Sequence, residues 1–505
     1  MELFDHLSIG LQTLFTPGNL FFCFIGVLMG TLVGVLPGLG PTAAIALLLP
    51  ATFHTSPVAS IIMLAGIYYG AMYGGSTTSI LVNIPGEAAS VVTCLDGYQM
   101  ALQGRAGPAL GIAAFGSFIA GTISVLGLML IAPPLAKLAL AFGPPEYFSL
   151  MLMGIVMLIY LASGSILKAL MMAVFGLLVG TIGQDSISGT LRLTFGIREL
   201  YDGIGLIPAI MGLFGVSEVI VNVERAVKSE VVATGARNLL PTLQDWRDSI
   251  RPILRGSVLG FLIGILPGPS STISSFTSYA MEKRVSKNPE KFGKGAIEGV
   301  AGPEAANNAA TGGSFIPLLT LGIPANAVTA LLLGAFMIHG IAPGPLLISK
   351  HPDLFWGTII SMYLGNIMLL VLNLPLIGLW VQVLRVPYPI LFPLILLFCL
   401  VGVFSLNYSP VEVGLMIGFG AFGYVARKFQ FELAPLVLAL VIGPMVENYL
   451  RLSLIISRGS PWIFFKRPIS AVFILITLAL LISPLVPWIG RVREKLREKV
   501  EREKG

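Results

Sequence analysis

Charge is what this sequence has least of. Only 11% of its 505 residues are Asp, Glu, Lys or Arg, against about a quarter in soluble domains. No Lys or Arg occurs before Arg105, so the N-terminus lacks the basic region of a cleavable signal peptide. The three cysteines, Cys23, Cys94 and Cys399, are too scattered for a disulfide framework or a metal motif. With four histidines, no HExxH pattern, no nucleophile paired with a base and no GxxxxGK[ST] loop, the chain offers neither hydrolytic nor ATP-driven chemistry. It is not expected to be an enzyme. The net charge of +6 sits in loops and the C-terminal tail, which reads as membrane topology and not as a nucleic-acid surface.

What the sequence has is apolar length. Hydrophobic residues make up 55%, and several runs reach the ~17 to 25 residues that span a bilayer as helix. Long runs dominate over alternation, which excludes a β-barrel. The class expected is an all-α polytopic membrane protein in the cell inner (plasma) membrane, with the lipid bilayer as its surroundings and no cofactor.

Two stretches punctuate the apolar runs. GFLIGILPGPSSTISSF (260–276) carries Leu266-Pro267-Gly268-Pro269 at its middle, followed by Ser270, Ser271 and Thr272, so it is not one continuous helix. GTLVGVLPGLGPTAAI (30–45) copies it at a constant shift of 230 residues. That shift pairs Gly34 with Gly264, Pro37-Gly38 with Pro267-Gly268, and Thr42 with Thr272. Short arms on either side of each break predict a re-entrant helical hairpin, over 18–50 and 253–282. A Gly-interrupted helix follows each: 57–85, with Gly74-Gly75-Ser76-Thr77-Thr78, and 298–324, with Gly312-Gly313-Ser314. Each closes on Ile-Pro, at Pro85 and Pro324.

The organisation expected is a first half over 1–221, a polar cytoplasmic linker over 222–252, a second half over 253–465, and a terminal span with charged tail over 466–505. Basic residues flank the second hairpin on both sides, and none flanks the first, so positive-inside logic points the copies in opposite directions. Arg451, Arg458, Lys466 and Arg467 stand against that scheme, in a loop that alternation would place outside. Two inverted repeats with helix breaks are the pattern of a secondary transporter with a site near the midplane.

Candidate ligands for substrate and cation follow from the breaks: Pro37, Gly38, Gly40, Thr42, Pro267, Gly268, Ser270, Ser271 and Thr272. Unwound backbone offers carbonyl oxygens to a cation, and half-helix N-termini and hydroxyls suit a carboxylate. The structural alternative is a kink that lets helices pack. Gly74, Gly75, Ser76, Thr77, Thr78, Gly312, Gly313 and Ser314 are further candidates, with small-residue helix packing as the alternative. Glu304, Asn307 and Asn308 share one face of an apolar helix at i, i+3 and i+4. An ionisable group there is a functional suspect, unless Glu304 lies near enough to the cytoplasmic end to reach water. Asn83 either serves the site or pins the turn before Pro85. The coupling ion expected is sodium bound at the hairpin tips, with the proton as the alternative. A channel using the same breaks as a filter is the competing function.

The strings LPGLGPTAA, YYGAMYGGSTTSILVNIPGE, DGYQMALQGRAGPAL, ILPGPSS and GPEAANNAATGGSFIPLLTLGIP, in this order, resemble the large membrane subunit of the tripartite tricarboxylate transporter family. That resemblance implies a translocating subunit working with a small four-helix membrane subunit and an extracytoplasmic solute-binding protein. It also implies uptake of citrate and related carboxylates on ion gradients. Elevator motion is implied by a more distant analogy of fold.

Overall fold

The computed structural model describes residues 2–36, 40–162, 165–225, 239–384, 386 and 388–482. The first hairpin's Pro37 and Gly38 therefore lie outside the described residues, as do the middle of the polar linker and the charged tail.

The chain forms two compact units. The larger comprises 1–140 and 204–433, the smaller 141–203 and 434–505. Among the described residues, seven helices are long and apolar enough to cross a membrane. Proline sets many helix starts, with Pro17, Pro41, Pro57, Pro352 and Pro410 in the first turn, where the missing N–H costs no hydrogen bond.

In the larger unit, a first arm (Pro17–Val35) precedes the first break, and a short helix (Pro41–Leu48) follows it. The arm packs along a first inner helix, Pro57–Val82. The second half repeats this: a second arm (Leu243–Gly264), a return segment (Ser270–Val285) and a second inner helix, Glu298–Leu321. Glycines set the spacing. A Cβ at Gly26, Gly30 or Gly34 would lie 2.2 to 2.6 Å from the carbonyl oxygens of Met63, Ile67 and Ala71. At Gly256, Gly260 and Gly264 it would lie 2.1 to 2.4 Å from those of Gly302, Ala306 and Ala310. Such contact lets two backbones approach as small-residue motifs do in membranes.

These contacts correct two expectations. Neither inner helix is interrupted at its glycines: Pro57–Val82 runs unbroken through Gly74–Ser79, and Glu298–Leu321 through Gly312–Ser314. Gly74 and Gly313 instead face the arms, each less than 2.5 Å, at its absent Cβ, from a carbonyl oxygen of Thr31 or Phe261. The helices break at their C-terminal ends, where Asn83 (φ 58°) and Gly322 (φ 69°) adopt the left-handed cap conformation. The register is also shifted by one. Matching glycine pairs aligns Gly74 with Gly312, whereas the arm contacts align it with Gly313, an offset of 239 residues that equally relates Asn83 to Gly322.

The smaller unit contains Pro144–Tyr160, Ile166–Gly180, Ala434–Ile456 and Pro468–Ile482, with a two-stranded antiparallel hairpin pairing Gly183–Gln184 with Leu191–Arg192. Two of the basic residues that disturbed the topology argument are neutralised here. Arg451 binds Asp185 (2.7 Å) and Glu447 (2.9 Å), and Arg467 binds Glu146 (2.5 Å). Paired arginines weigh less in a count of free positive charge.

Candidate functional site

The two inner helices are the most covered parts of the larger unit. The most apolar window of Pro57–Val82 is 94% buried, while that of Ile390–Asn407 is 17% buried and offers its side chains outward. Glu298–Leu321 is too polar for a lipid-facing span, yet nearly all of it is buried. Its polar face must therefore be satisfied by protein or ligand.

Glu304 is 1% exposed. Ser76 on the first inner helix donates to its Oε2 at 2.5 Å, and Thr93 donates to its Oε1. One turn on, the Asn307 Nδ2 donates to Glu87 Oε1 at 3.1 Å. Glu87 stands just past the Pro85 break, where it caps a short turn by accepting from the Ala89 N–H at 2.5 Å, with Ser90 closing the box. Asn308 donates to Ser117 Oγ (2.7 Å) and to the Glu304 carbonyl (3.0 Å). The Oδ1 atoms of Asn307 and Asn308 are buried and have no hydrogen-bond partner among the described residues.

A second cluster surrounds the Tyr68 hydroxyl. Asn326, which caps the helix Ala327–Ile338 in a box with Thr329, donates its Nδ2 to Tyr68 at 3.0 Å. The side chains of Ser271, Thr311 and Ser314 lie within reach of the same hydroxyl. The offset of 239 relates the clusters: Glu87 corresponds to Asn326, Ser90 to Thr329, and Tyr68 to Asn307. Swapping the halves thus turns the Glu87–Asn307 contact into the Asn326–Tyr68 contact.

The structure brings together Ser76, Glu304, Asn307 and Asn308 in the first cluster, and Ser271 and Ser314 in the second. Ser270 is buried with its Oγ unpartnered among the described residues, Gly268 donates its N–H to the Ala325 carbonyl at 2.8 Å, and Pro267 and Thr272 are half-buried. Other candidates serve packing. Thr78 donates to the Val35 carbonyl (2.6 Å), Gly312 abuts Ser124, and Gly75 lies under the Glu87 side chain. Thr77 lines a small cavity with Tyr73, Ser76, Ser117 and Asn373. Gly40 caps the short helix Pro41–Leu48, and Thr42 is half-buried. Asn83 is exposed as a helix cap and joins neither cluster, because its left-handed backbone turns the chain there.

Sequence reasoning missed Glu87, Thr93, Tyr68 and Asn326. One signal was present: a polar residue follows each Ile-Pro break at the same distance, Glu87 after Pro85 and Asn326 after Pro324.

A bundle of apolar helices with buried polar clusters beside helix breaks defines a multi-pass membrane transporter component, not an enzyme. The chain belongs to the tripartite tricarboxylate transporter TctA family, whose model matches residues 20–438. Members of this family work with a binding protein and a small membrane subunit. It is 53% identical over 496 residues to an Agrobacterium vitis protein described as "Uncharacterized 52.8 kDa protein in TAR-I ttuC' 3'region", covering 98% of this chain and 99% of that one. A second Agrobacterium vitis protein, "Uncharacterized protein in TAR-II ttuC' 3'region", is 52% identical over 237 residues, 47% of this chain and 98% of that one. No solved structure matches the chain.

Proposed function

We propose that this chain is the substrate-translocating subunit of a binding-protein-dependent secondary transporter, taking up citrate-like tricarboxylates or related carboxylates across the cell inner membrane by cation-coupled alternating access. The observation that carries this reading is the exchanged pair of contacts, Glu87–Asn307 and Asn326–Tyr68. Contacts that interconvert when two halves are swapped are what a two-fold relation produces. In transporters that relation frames a midplane site which opens alternately to either side. It supports two inverted repeats, each a re-entrant hairpin with an inner helix, and an elevator-like movement of this core.

The chemistry of the second half suits an anion. The return segment Ser270–Val285 begins at the second break, Ser270 presents a buried unpartnered hydroxyl, and Ser271 faces Tyr68. Backbone N–H groups and the positive end of the helix dipole favour a carboxylate at such a terminus. The lining of both clusters is oxygen and amide, which suits a hard cation, sodium or a proton, as the coupling ion. The partners proposed are a small four-helix membrane subunit and an extracytoplasmic solute-binding protein that delivers the substrate.

The test is uptake of radiolabelled citrate and of dicarboxylates into proteoliposomes holding the chain, its small subunit and the binding protein. Accumulation under an imposed sodium or proton gradient is expected, with Ser271→Ala and Ser76→Ala each reducing it. No gradient-dependent uptake of any carboxylate would overturn the reading, whereas uptake and ion dependence unchanged in both variants would mean that the proposed site is misplaced.

A further inference from the structure

We propose that Glu87 and Glu304 together carry one proton, and that this shared proton is the coupling ion; the proposal rests on the transporter reading above. Glu304 is 1% exposed and Glu87 8% exposed, and among the described residues neither makes an ion pair with a Lys, Arg or His. Glu87 is held by Asn307, one turn from Glu304 on the same helix face, and the other titratable groups at this pair are Tyr73 on the first inner helix and Cys94 past the break. Three charged residues on neighbouring elements are engaged elsewhere. Arg255 on the second arm binds Glu282 on the return segment, and Asp96 is held by the amides of Gly293, Gly295 and Ala296. The Ala106–Ala139 helix contributes the neutral Ser117. Two neighbouring buried carboxylates without a cationic side chain are stable together when one of them is protonated.

The hydrogen-bond pattern favours a proton over a metal ion. Each of the four carboxylate oxygens already faces a donor: Thr93 and Ser76 at Glu304, Asn307 Nδ2 and the Ala89 N–H at Glu87. A hard metal ion needs a near-complete shell of oxygen lone pairs, and the amide donors at Glu87 turn hydrogens toward the oxygens it would use. A protonated carboxyl needs something different, an acceptor for its new O–H. Two buried acceptors without partners, Asn307 Oδ1 and Asn308 Oδ1, lie on the same helix face, and the Ser76 and Thr93 hydroxyls can rotate to accept.

Among the described residues the counterpart cluster carries no carboxylate. The offset of 239 places Asn326 opposite Glu87 and Ala65 opposite Glu304. The acidic pair thus occupies one of the two exchanged clusters and is not repeated in the other, so the proposal assigns one proton site per chain. In the cycle an O–H bond forms on the pair from outside water, and the same bond breaks to inside water once the core has moved. The proton crosses with the substrate and no other group is consumed.

Two measurements on the full chain test this. Infrared difference spectroscopy of the purified protein across a pH titration should show a protonated-carboxyl C=O band that is unaffected by sodium chloride at fixed pH, and is lost in Glu304→Gln and in Glu87→Gln. The wild-type titration is informative even if a variant folds poorly. In proteoliposomes with both partners, an imposed gradient of about one pH unit should support about tenfold accumulation of radiolabelled citrate per coupled proton. Either Gln substitution should abolish that accumulation.

A band removed by sodium at constant pH, or no titrating band in the wild type, overturns the proton assignment. So does citrate accumulation that follows a sodium gradient alone, and in that case the transporter reading survives. A titrating band lost in both variants, without citrate uptake under any gradient, leaves the shared protonation standing and removes its transport role.

Discussion

The carboxamide of Asn307 donates to the carboxylate of Glu87 at 3.1 Å, across 220 residues of sequence. Its exchanged counterpart is a neutral pair, Asn326 and Tyr68, at 3.0 Å. The backbone frame is repeated while the chemistry differs: an acidic cluster stands in one position, and a hydroxyl and amide cluster in the other.

The neutral pair tests the frame without disturbing charge. Tyr68→Phe and Asn326→Ala should each destabilise the protein by about 1 kcal/mol, the typical worth of a buried hydrogen bond or helix cap. The double variant should lose less than the sum, with a coupling of about 0.5 kcal/mol or more. Thermal unfolding of the four proteins in detergent measures this. Strict additivity would mean that the two side chains do not interact.

Close packing of arm on inner helix predicts a sharp contrast between glycines. Gly260→Ala places a methyl 2.1 Å from the Ala306 carbonyl oxygen, and should cost about 1–3 kcal/mol through forced backbone separation. Gly418→Ala, in the helix Pro410–Lys428 with nothing within 4 Å of the new methyl, should be neutral or stabilising by up to about 1 kcal/mol. Melting temperatures of the two variants check the difference.

Asp96 ties the start of the second inner helix to the chain after the first. One carboxylate oxygen accepts from the amides of Gly293, Gly295 and Ala296, each at 2.8 Å, and the other from the Tyr279 hydroxyl at 2.9 Å. Asp96→Ala removes several hydrogen bonds to a charged group and should cost about 3 kcal/mol or more. The exposed Lys291 and Lys294 should then be cut faster by trypsin, while Asp96→Asn should show a smaller change. Equal cleavage in all three proteins would mean that Asp96 does not hold this loop.

The hairpin of the smaller unit should be acid-sensitive. Amides of Ser188 and Ile187 and the Arg451 guanidinium hold the Asp185 carboxyl well below its usual range. A carboxyl depressed in the folded state stabilises above its unfolded pKa of about 3.9 and loses that contribution as pH falls further. Protection factors for the amides of residues 184–192, with the intrinsic pH dependence of exchange divided out, should therefore be high near neutrality and fall below about pH 4. Asp185→Asn should show lower protection at neutral pH and a flatter pH dependence of protection.

Much of this was legible in the sequence. The offset of 230 between Gly34 and Gly264 located both arms, and the Ile-Pro steps at Pro85 and Pro324 located both breaks. The glycine run at Gly74–Gly75 misleads, because its letters match Gly312–Gly313 one residue out of the register that the arm contacts set. A helix tolerates glycine without breaking when a neighbouring backbone occupies the space, and that neighbour is not local in sequence. Glu87 is hidden for a similar reason: in sequence it stands in a polar stretch with Asp96 and Arg105, and its burial depends on Asn307 in the other half.

The sequence by itself determined the membrane class, the repeated arms and breaks, and the family, since these depend on composition, proline and glycine placement and ordered motifs. Only the tertiary structure decided which polar side chains meet. Glu304 reaches Ser76 and Thr93, and Asn307 reaches Glu87, because helices from distant parts of the chain pack closely enough for hydrogen bonds of about 3 Å. That distance is set by arm glycines pressed on carbonyl oxygens, a condition of packed backbones that no local pattern specifies.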